Sequence, residues 1–445
     1  MSRINHYLCK LQEHAPLKCI LDGHFSYTYA ELLGELERWE ARLDRSHIGP
    51  GAVVGIRSDY SIGSVAVLLA LLARRSVAAL IPEGVNADQY LSAANASVLL
   101  DLDVGGDHRM QYRKESSHPL LDQLQAAGEG GLIIFTSGST GQPKAALHSG
   151  ERFLLKFQKP GRRFRTLAFL LFDHVAGLDT LLYTLASGGT LVLARRRDPQ
   201  SIVNLIESAA VEVVPASPSF LRLLRISGCA DKRDLSSLKV ITYGADLMDP
   251  VTLTWLNERF PNLQIIQKYG TTEIGSPKSH SRGNSSLWLK IKDDSLESKV
   301  VDQILWIRSP GAMLGYLNAA SPVDDDGWYC TGDMVELDGE WIRFCGRAAN
   351  ILKVGGEKVS PAEVEQSIRE LDFVREVVVT GEANTVMGQI VKAQVILSSQ
   401  SISQKDAARR IRQHCRQRLT HYKVPVKIYF CETEITTARQ KIKRS

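Results

Sequence analysis

Short apolar runs rich in β-branched residues alternate along the chain with longer segments in which apolar residues recur at helical spacing. The clearest runs are residues 191–193, 211–214, 240–243 and 263–266. Between them, Ser217-Pro218 and Asp249-Pro250 each place a capping residue before a proline, which is the pattern of a helix start. The alternation predicts an α/β fold in which parallel sheets are layered with helices. Ligands of such folds bind at the carboxyl ends of the strands.

The pattern changes near residue 346, where we expect a domain boundary. Gly346-Arg347 and the small residues that follow precede a new apolar run at residues 351–354. Ser360 and Glu363 have the spacing of a capping box, and apolar residues then recur at helical spacing. We therefore predict a large N-terminal domain at residues 1–346 and a compact C-terminal domain at residues 347–445, of about 100 residues, which is an ordinary domain size.

A loop of hydroxyl and glycine residues directly follows the apolar residues 132–134. Its sequence is Thr136-Ser137-Gly138-Ser139-Thr140-Gly141-Gln142-Pro143-Lys144. The glycines let backbone N–H groups turn toward an anion, the hydroxyls add donors, and Lys144 adds a positive charge. The P-loop pattern requires Lys-Ser/Thr directly after its second glycine, and this loop does not have it. The segment therefore predicts a phosphate-binding loop of another kind at the end of a strand.

Composition and charge are ordinary for a globular enzyme. Of the 445 residues, 44% are hydrophobic and 23% are charged, and the net charge is +5 with the basic residues dispersed, so nucleic acid is not implied. The apolar run at residues 65–73 is too short to span a bilayer, and residues 1–19 lack the apolar core of a signal peptide. We expect a cytoplasmic protein without integral membrane association. The seven scattered cysteines argue against a disulfide framework or a zinc site.

Further motifs follow the phosphate loop in a fixed order. They are Tyr269-Gly270-Thr271-Thr272-Glu273, the segment at residues 327–333 that ends in Thr331-Gly332-Asp333, the segment from Gly346-Arg347 through Gly355-Gly356 to Glu363, and Lys441. With the loop, they resemble the ordered motifs of the adenylate-forming superfamily, which contains acyl-CoA synthetases, adenylation domains and luciferases. The resemblance covers essentially the whole chain, and several motifs in order are far more specific than any one of them.

The resemblance implies both a fold and a reaction. The fold would be a large domain of layered sheets and helices followed by a small, mobile α+β domain. The reaction would use ATP and Mg²⁺ to convert a carboxylic acid into acyl-AMP and pyrophosphate. A pantetheine thiol, on CoA or on an acyl carrier protein, would then accept the acyl group.

The resemblance also implies roles for individual residues. The loop from Thr136 to Lys144 would hold the β- and γ-phosphates, Thr272 would contact the α-phosphate, and Glu273 would hold Mg²⁺. Tyr269 and Tyr243-Gly244-Ala245 would enclose the adenine, while Asp333 and Arg347 would bind the ribose. Lys441 would stabilise the charge that develops during adenylation. Gly355-Gly356 would admit the pantetheine arm.

Three positions depart from the family pattern, which shows a proline and a glycine near the C-terminal lysine. Ile435 and Gln440 occupy those positions here, and Ala349 occupies a position that is often aspartate or lysine. These departures leave open a catalytically weakened nucleotide-binding relative as one alternative.

The acid pocket supports two interpretations. His174 and Gly177 fit the acyl- and aryl-CoA synthetase pattern, in which the histidine gates the carboxylate site. Phe172-Asp173 also resembles the pair by which amino-acid-activating domains hold the ammonium of the substrate. We favour a fatty or aryl acid, and amino-acid adenylation for a carrier protein stays open as the alternative.

Overall fold

The computed structural model describes residues 2–103, 105–114, 116–137, 142–159, 161–293, 295–398 and 402–431. Its α-helices are α1 (Arg3–Glu13), α2 (Tyr29–Arg45), α3 (Ile62–Ala73), α4 (Ala87–Ala93), α5 (Pro119–Ala126), α6 (Gly150–Phe153), α7 (Val175–Ala186), α8 (Pro199–Ala209), α9 (Pro218–Ser227), α10 (Pro250–Arg259), α11 (Pro361–Arg369) and α12 (Gln404–Arg418). Short 3-10 helices are Leu154–Phe157, Cys229–Lys232, Ala348–Asn350 and His421–Lys423.

The strands belong to four sheets. In chain order they are β1 (Lys18–Asp22), β2 (Phe25–Thr28), β3 (Val53–Arg57), β4 (Val77–Ile81), β5 (Val98–Leu102), β6 (His108–Tyr112), β7 (Gly131–Ser137), β8 (Pro143–Ser149), β9 (Arg165–Ala168), β10 (Thr190–Leu193), β11 (Val213–Ala216), β12 (Val240–Tyr243), β13 (Gln264–Gln267), β14 (Ser279–Ser281), β15 (Leu289–Ile291), β16 (Glu297–Val301), β17 (Ile304–Arg308), β18 (Gly315–Tyr316), β19 (Tyr329–Asp338), β20 (Trp341–Arg347), β21 (Leu352–Val354), β22 (Glu357–Val359), β23 (Val374–Asn384), β24 (Gly388–Leu397) and β25 (Lys427–Phe430).

Two of the sheets are mostly parallel and lie in the N-terminal part of the chain. The first has the order β13-β12-β11-β9-β10-β1-β2, with only the β1–β2 pair antiparallel. The second has the order β18-β8-β7-β4-β3-β5-β6, in which the central strands are parallel and the outer pairs are antiparallel. Parallel strands need helical crossovers, which explains the alternation in the sequence.

The largest apolar core lies between these two sheets. It takes side chains from β1 and β10 of the first sheet and from β3, β4, β5 and β7 of the second, together with helices α1, α2, α3 and α7. Helix α3 contains the apolar run at residues 65–73, and all of the residues from Val65 to Leu71 are completely buried. A helix that is apolar on every side suits a layer covered by sheets on both faces.

The other two sheets follow in the C-terminal part of the chain. An antiparallel sheet has the order β14-β15-β20-β19-β17-β16, and the last sheet has the order β22-β21-β24-β23 with β25 added beside β24. The last sheet packs with α11 and α12 around an apolar core of its own. This arrangement confirms the predicted α/β fold with a large N-terminal and a small C-terminal domain. The boundary after Gly346 stays a prediction.

Two predicted helix starts are confirmed and one predicted cap is wrong. The Ser217 and Asp249 side chains accept hydrogen bonds from the Phe220 and Thr252 N–H groups, as N-caps do. Ser360 precedes α11 but makes no cap, because its hydroxyl donates to the Cys345 carbonyl oxygen at 3.1 Å. Within the described residues, every helix is too short or too polar to cross a membrane.

Candidate active site

A cleft of about 1950 Å³ opens at the carboxyl ends of β12 and β13. The neighbouring parallel strands bring Tyr243 level with Gln267, and Tyr269 follows two residues later. Many of the residues predicted to bind the nucleotide or the acid line this cleft. They are Tyr243, Gly244, Ala245, Tyr269, Gly270, Asp333, Arg347 and His174. Segments that are distant in the sequence therefore meet in one crevice, as the strand-end argument predicts.

The wall at Tyr243-Gly244-Ala245 depends on close backbone packing. The N–H of Lys268 donates to the Tyr243 carbonyl oxygen at 2.7 Å. A Cβ on Gly244 would lie 2.7 Å from the carbonyl oxygen of Lys268, so a side chain at this position would displace the strand end. Ala245 has a φ of 69°, in the left-handed region that residues other than glycine rarely adopt. The wall therefore has no room for a side chain at Gly244 and holds Ala245 in a strained conformation, as binding sites often do.

Tyr269, Asp333 and Arg347 form a hydrogen-bonded group in the cleft. The Tyr269 hydroxyl donates to Asp333 Oδ2 at 2.8 Å, and Arg347 Nε lies 2.7 Å from Asp333 Oδ1. The Tyr269 ring stacks on Phe344 with centroids 4.6 Å apart. Burial raises the pKa of Asp333, and the charge of Arg347 and the Tyr269 hydrogen bond oppose that rise. The group offers acceptor oxygens and a flat aromatic surface side by side.

Glu273 belongs to a second group, next to the phosphate loop. The Tyr316 hydroxyl donates to Glu273 Oε1 at 2.5 Å, and the Met313 N–H donates to the Glu273 carbonyl oxygen at 2.7 Å. Burial raises the pKa of the Glu273 carboxyl, but hydrogen bonds led by that of Tyr316 outweigh burial, so its pKa lies below the usual range. Glu273 is therefore a half-buried carboxylate that is ionised at neutral pH.

The flanks of the phosphate loop meet this second group. Thr136 and Lys144 face each other across the β7–β8 hairpin, and β18 pairs with β8 so that Tyr316 lies beside them. Lys144 Nζ is 5.5 Å from the centre of the Tyr316 ring. Within the loop, Gly138, Ser139, Thr140 and Gly141 lie outside the described residues, and for Ser137 only the backbone is described.

The two groups influence each other electrostatically. The negative charge of Glu273 raises the pKa of Asp333, and the positive charge of Arg347 lowers the pKa of Tyr316. Thr271 and Thr272, both buried, connect the groups along the chain between Gly270 and Glu273. The Glu273 carboxylate and the described flanks of the phosphate loop therefore adjoin the nucleoside group through Thr271 and Thr272, although they are not among the described residues that line the cleft itself.

Glu273 could hold a magnesium ion. The described residues contain no cluster of three or more histidine, cysteine, aspartate or glutamate side chains that could bind a metal by itself. Magnesium in nucleotide enzymes is held by one or two carboxylates together with phosphate oxygens. A single ionised carboxylate beside a phosphate loop suits that mode of binding.

The residues predicted to form the acid pocket differ in whether they line the cleft. His174 lines the cleft directly before α7, and its N–H donates to the Leu171 carbonyl oxygen at 3.1 Å. Asp173 is buried but is not among the described residues that line the cleft.

Gly177 does not line the cleft either, and a Cβ there would lie 1.9 Å from the Leu171 carbonyl oxygen. This glycine lets α7 pack against the preceding backbone, and a pocket role for Gly177 stays a prediction.

Two further predictions concern residues of the C-terminal part of the chain, one inside and one outside the described residues. Gly355 and Gly356 form the β21–β22 turn with φ of 60° and 89°, and the Gly355 N–H donates to the Met387 carbonyl oxygen. In this arrangement they are not among the described residues that line the cleft. Lys441, with its neighbours Ile435 and Gln440, lies outside the described residues.

Sequence reasoning missed three residues of the site. Phe344 and Tyr316 lie outside every motif and reach the site through strand pairing. Lys268 lines the cleft directly before the motif at residues 269–273. Only Lys268 could have been found from the sequence, because a lysine directly before a nucleotide-binding motif is a candidate site residue.

Comparison with known proteins gives both family and fold. The model of the AMP-binding enzyme family matches residues 10–317, and that of the AMP-binding enzyme C-terminal domain matches residues 363–441. Similar curated proteins include an indoleacetate–CoA ligase from Aromatoleum aromaticum, 29% identical over 70% of this chain and 66% of its own length. A 2-succinylbenzoate–CoA ligase from Enterococcus faecalis is 28% identical over 73% of this chain and 70% of its own length. The chain thus spans about two thirds of the length of these relatives.

Solved structures agree on the fold. The anthranilate CoA ligase AuaEII, in complex with anthranoyl-AMP, superposes with a TM-score of 0.85 at 21% identity, covering 99% of this chain and 95% of that one. ATP-bound MatB from Rhodopseudomonas palustris superposes with a TM-score of 0.82 at 18% identity, covering 99% and 97%. Together with the family matches, they confirm the resemblance seen in the sequence: the chain belongs to the AMP-binding enzyme family, within the adenylate-forming superfamily.

Proposed function

We propose that this protein uses ATP to convert a carboxylic acid into acyl-AMP and then transfers the acyl group to a pantetheine thiol. The observation that carries the proposal is the arrangement of two groups: Tyr269, Asp333 and Arg347 line the cleft, and Glu273, which follows Tyr269 closely in the chain, lies with Tyr316 beside the flanks of the phosphate loop. One group suits a nucleoside and the other suits a metal-bound phosphate chain. CoA ligases among the relatives support the same activity.

The nucleoside would bind between the strand ends. The wall of Tyr243-Gly244-Ala245 and the ring of Tyr269 suit the faces of a purine. Asp333 accepts hydrogen bonds and would bind the ribose hydroxyls, with Arg347 as a forked donor beside it. Both Asp333 oxygens already have donors in the protein, which hold the carboxylate in a fixed orientation.

The triphosphate would lie along the loop toward Glu273. Thr136, Lys144 and the loop between them would bind the β- and γ-phosphates, and Thr272 would contact the α-phosphate. Glu273 would hold Mg²⁺, and the bound ion would offset negative charge on the phosphate oxygens. The Tyr316 hydroxyl keeps Glu273 ionised and oriented for that contact.

In the first half-reaction, an oxygen of the acid carboxylate attacks the α-phosphorus of ATP. The new P–O bond forms as the bond to pyrophosphate breaks, and charge on the phosphate oxygens increases in the transition state. Lys441 would stabilise that charge. His174 lines the cleft and would border the reacting carboxylate.

In the second half-reaction, a thiolate attacks the acyl carbon, and AMP leaves with the oxygen that bridged the two groups. In the present arrangement Ala362 and Arg369 of α11 line the cleft, and Gly355-Gly356 do not. We propose that rotation of the C-terminal domain brings Gly355-Gly356 to the cleft for this half-reaction. The acceptor would be CoA or a carrier-protein phosphopantetheine.

The acid would be a fatty or aryl acid. Asp173, the residue that an amino-acid-activating site would use for the substrate ammonium, is not among the described residues that line the cleft. Apolar side chains of the cleft, among them Val213, Ile266 and Leu170, provide surface for a hydrocarbon chain or ring.

An exchange assay tests this proposal. Labelled pyrophosphate enters ATP only if the enzyme forms acyl-AMP reversibly, so the purified protein is assayed with panels of fatty, aryl and amino acids. We expect exchange with fatty or aryl acids. Exchange with amino acids alone would contradict the acid assignment, and no exchange with any acid would contradict adenylation itself.

A further inference from the structure

Lys268 is a basic residue of the cleft whose backbone is held at a fixed position. It lies between the end of β13 and Tyr269, and it lines the cleft. Its N–H donates to the Tyr243 carbonyl oxygen at 2.7 Å, and Gly244 packs directly against its backbone. The Lys268 backbone is therefore held by the same packing that forms the nucleoside wall. Only the flexible stem of its side chain can adjust.

Two other lysines and one aspartate lie close enough to Lys268 to affect its pKa. Burial has the largest influence and lowers the pKa; among the charges, Asp179 raises it and Lys156 and Lys278 lower it. Asp179 already forms an ion pair with Lys156, whose ammonium also donates to the Ser276 carbonyl oxygen at 3.1 Å. Among the described residues, Lys268 Nζ has no hydrogen-bond or ion-pair partner of its own.

This charge lies on the acid side of the cleft. Asp179 belongs to α7, the helix that starts directly after His174, and both residues line the cleft. The nucleoside group of Asp333 and Arg347 comes from the β19–β20 hairpin instead. A ligand group that meets Lys268 would therefore belong to the acid and not to the nucleoside.

Lys268 is half-buried, and removing an ammonium even partly from water without an opposite charge is unfavourable; a bound anion reduces that cost. We propose that Lys268 determines specificity, pairing with a second anionic group on the acid while the reacting carboxylate lies at His174. The inference rests on the proposed function and narrows it: the preferred substrates are dicarboxylic acids. A neutral acid of the same size would leave the ammonium unpaired.

The test compares matched acids in the pyrophosphate exchange assay. Each monocarboxylic fatty or aryl acid is paired with the acid that carries one additional carboxylate at the far end of the chain or ring. We expect wild-type kcat/KM to favour the dicarboxylic member of the best pair. Lys268→Met, which keeps the stem and removes the charge, should reduce that preference by about 10- to 100-fold, the scale of one charge-assisted hydrogen bond.

Control variants separate specificity from folding. The loss should fall mainly on KM, because the contact exists in the ground state as well as in the transition state. Lys268→Arg should keep most of the preference, and Lys405→Met, on the exposed surface of α12, should keep all of it. The wild-type panel measures the preference by itself, so the inference stays testable even if Lys268→Met does not fold.

Two results would overturn the inference, and they differ. In the first, the wild type has the same kcat/KM for both acids of every pair, and Lys268→Met does not change that ratio. This result would refute the role of Lys268 and leave adenylation intact. No exchange with any acid would refute adenylation and this inference together.

Discussion

Removing the Tyr316 hydroxyl should weaken the site by a predictable amount. This hydroxyl donates to the half-buried Glu273 carboxylate at 2.5 Å, and Tyr316 itself is 8% exposed. A hydrogen bond to a charged group contributes about 1.5–3 kcal/mol, and other donors to Glu273 remain, so we use the lower limit. Because about 1.4 kcal/mol corresponds to a factor of ten, Tyr316→Phe should lower kcat/KM for magnesium ATP by roughly tenfold.

The same change should alter the pH dependence. Burial raises the pKa of Glu273, and the Tyr316 hydrogen bond is the foremost of the contacts that bring it below the usual range. In Tyr316→Phe the pKa therefore rises, and the carboxylate becomes protonated at a higher pH than in the wild type. The acid limb of the activity profile should shift to higher pH, so the variant loses most activity in acid and less as the pH increases.

The measurement is the pH profile of pyrophosphate exchange for Tyr316→Phe and the wild type. Tyr112→Phe, at a tyrosine that is 61% exposed, is the matched control and should follow the wild-type profile. A loss of the same size at every pH would mean that Tyr316 acts by positioning alone. An unchanged profile and rate would refute the role assigned to the Glu273–Tyr316 pair.

Three further changes test separate parts of the site. Glu273→Ala should abolish magnesium-dependent exchange while the melting temperature stays near that of the wild type, since the carboxylate holds the ion; wild-type turnover would show that Glu273 is structural. Gly177→Ala should lower the free energy of unfolding, measured in urea, by about 1–3 kcal/mol or more, because the new Cβ would lie 1.9 Å from the Leu171 carbonyl oxygen. Unchanged stability with an altered KM for the acid would mean that Gly177 acts in the acid pocket and not in packing. Lys441→Ala should slow acyl-AMP formation by about 100- to 1,000-fold and spare thioester formation from synthetic acyl-AMP; equal losses in both assays would indicate a folding defect.

Local sequence signals predicted local structure well. The runs at residues 240–243 and 263–266 form neighbouring parallel strands, each within one residue of its predicted position, because β-branched apolar residues favour buried strands. Ser217 and Asp249 cap their helices because a short polar side chain before a proline satisfies the free N–H groups. These interactions span only a few residues.

Interactions between distant segments were not visible in the sequence. Tyr316 reaches Glu273 only because β18 pairs with β8, and nothing near it in the chain marks that role. The capping-box spacing at Ser360 failed: its hydroxyl donates to the carbonyl oxygen of Cys345 in β20 and accepts no cap hydrogen bond from α11. The motif around Gly177 likewise gave no sign of the close approach of this glycine to the Leu171 carbonyl oxygen. Tertiary contacts decided each of these cases.

The central claim is that the acid carboxylate attacks the α-phosphorus of ATP. The most direct test supplies an acid that supports exchange, labelled with oxygen-18 in its carboxylate, together with ATP and a pantetheine thiol. If acyl-AMP forms and is then cleaved by the thiol, one labelled oxygen must appear in the phosphate of AMP. Label in inorganic phosphate, with ADP as the product, would contradict the proposed mechanism.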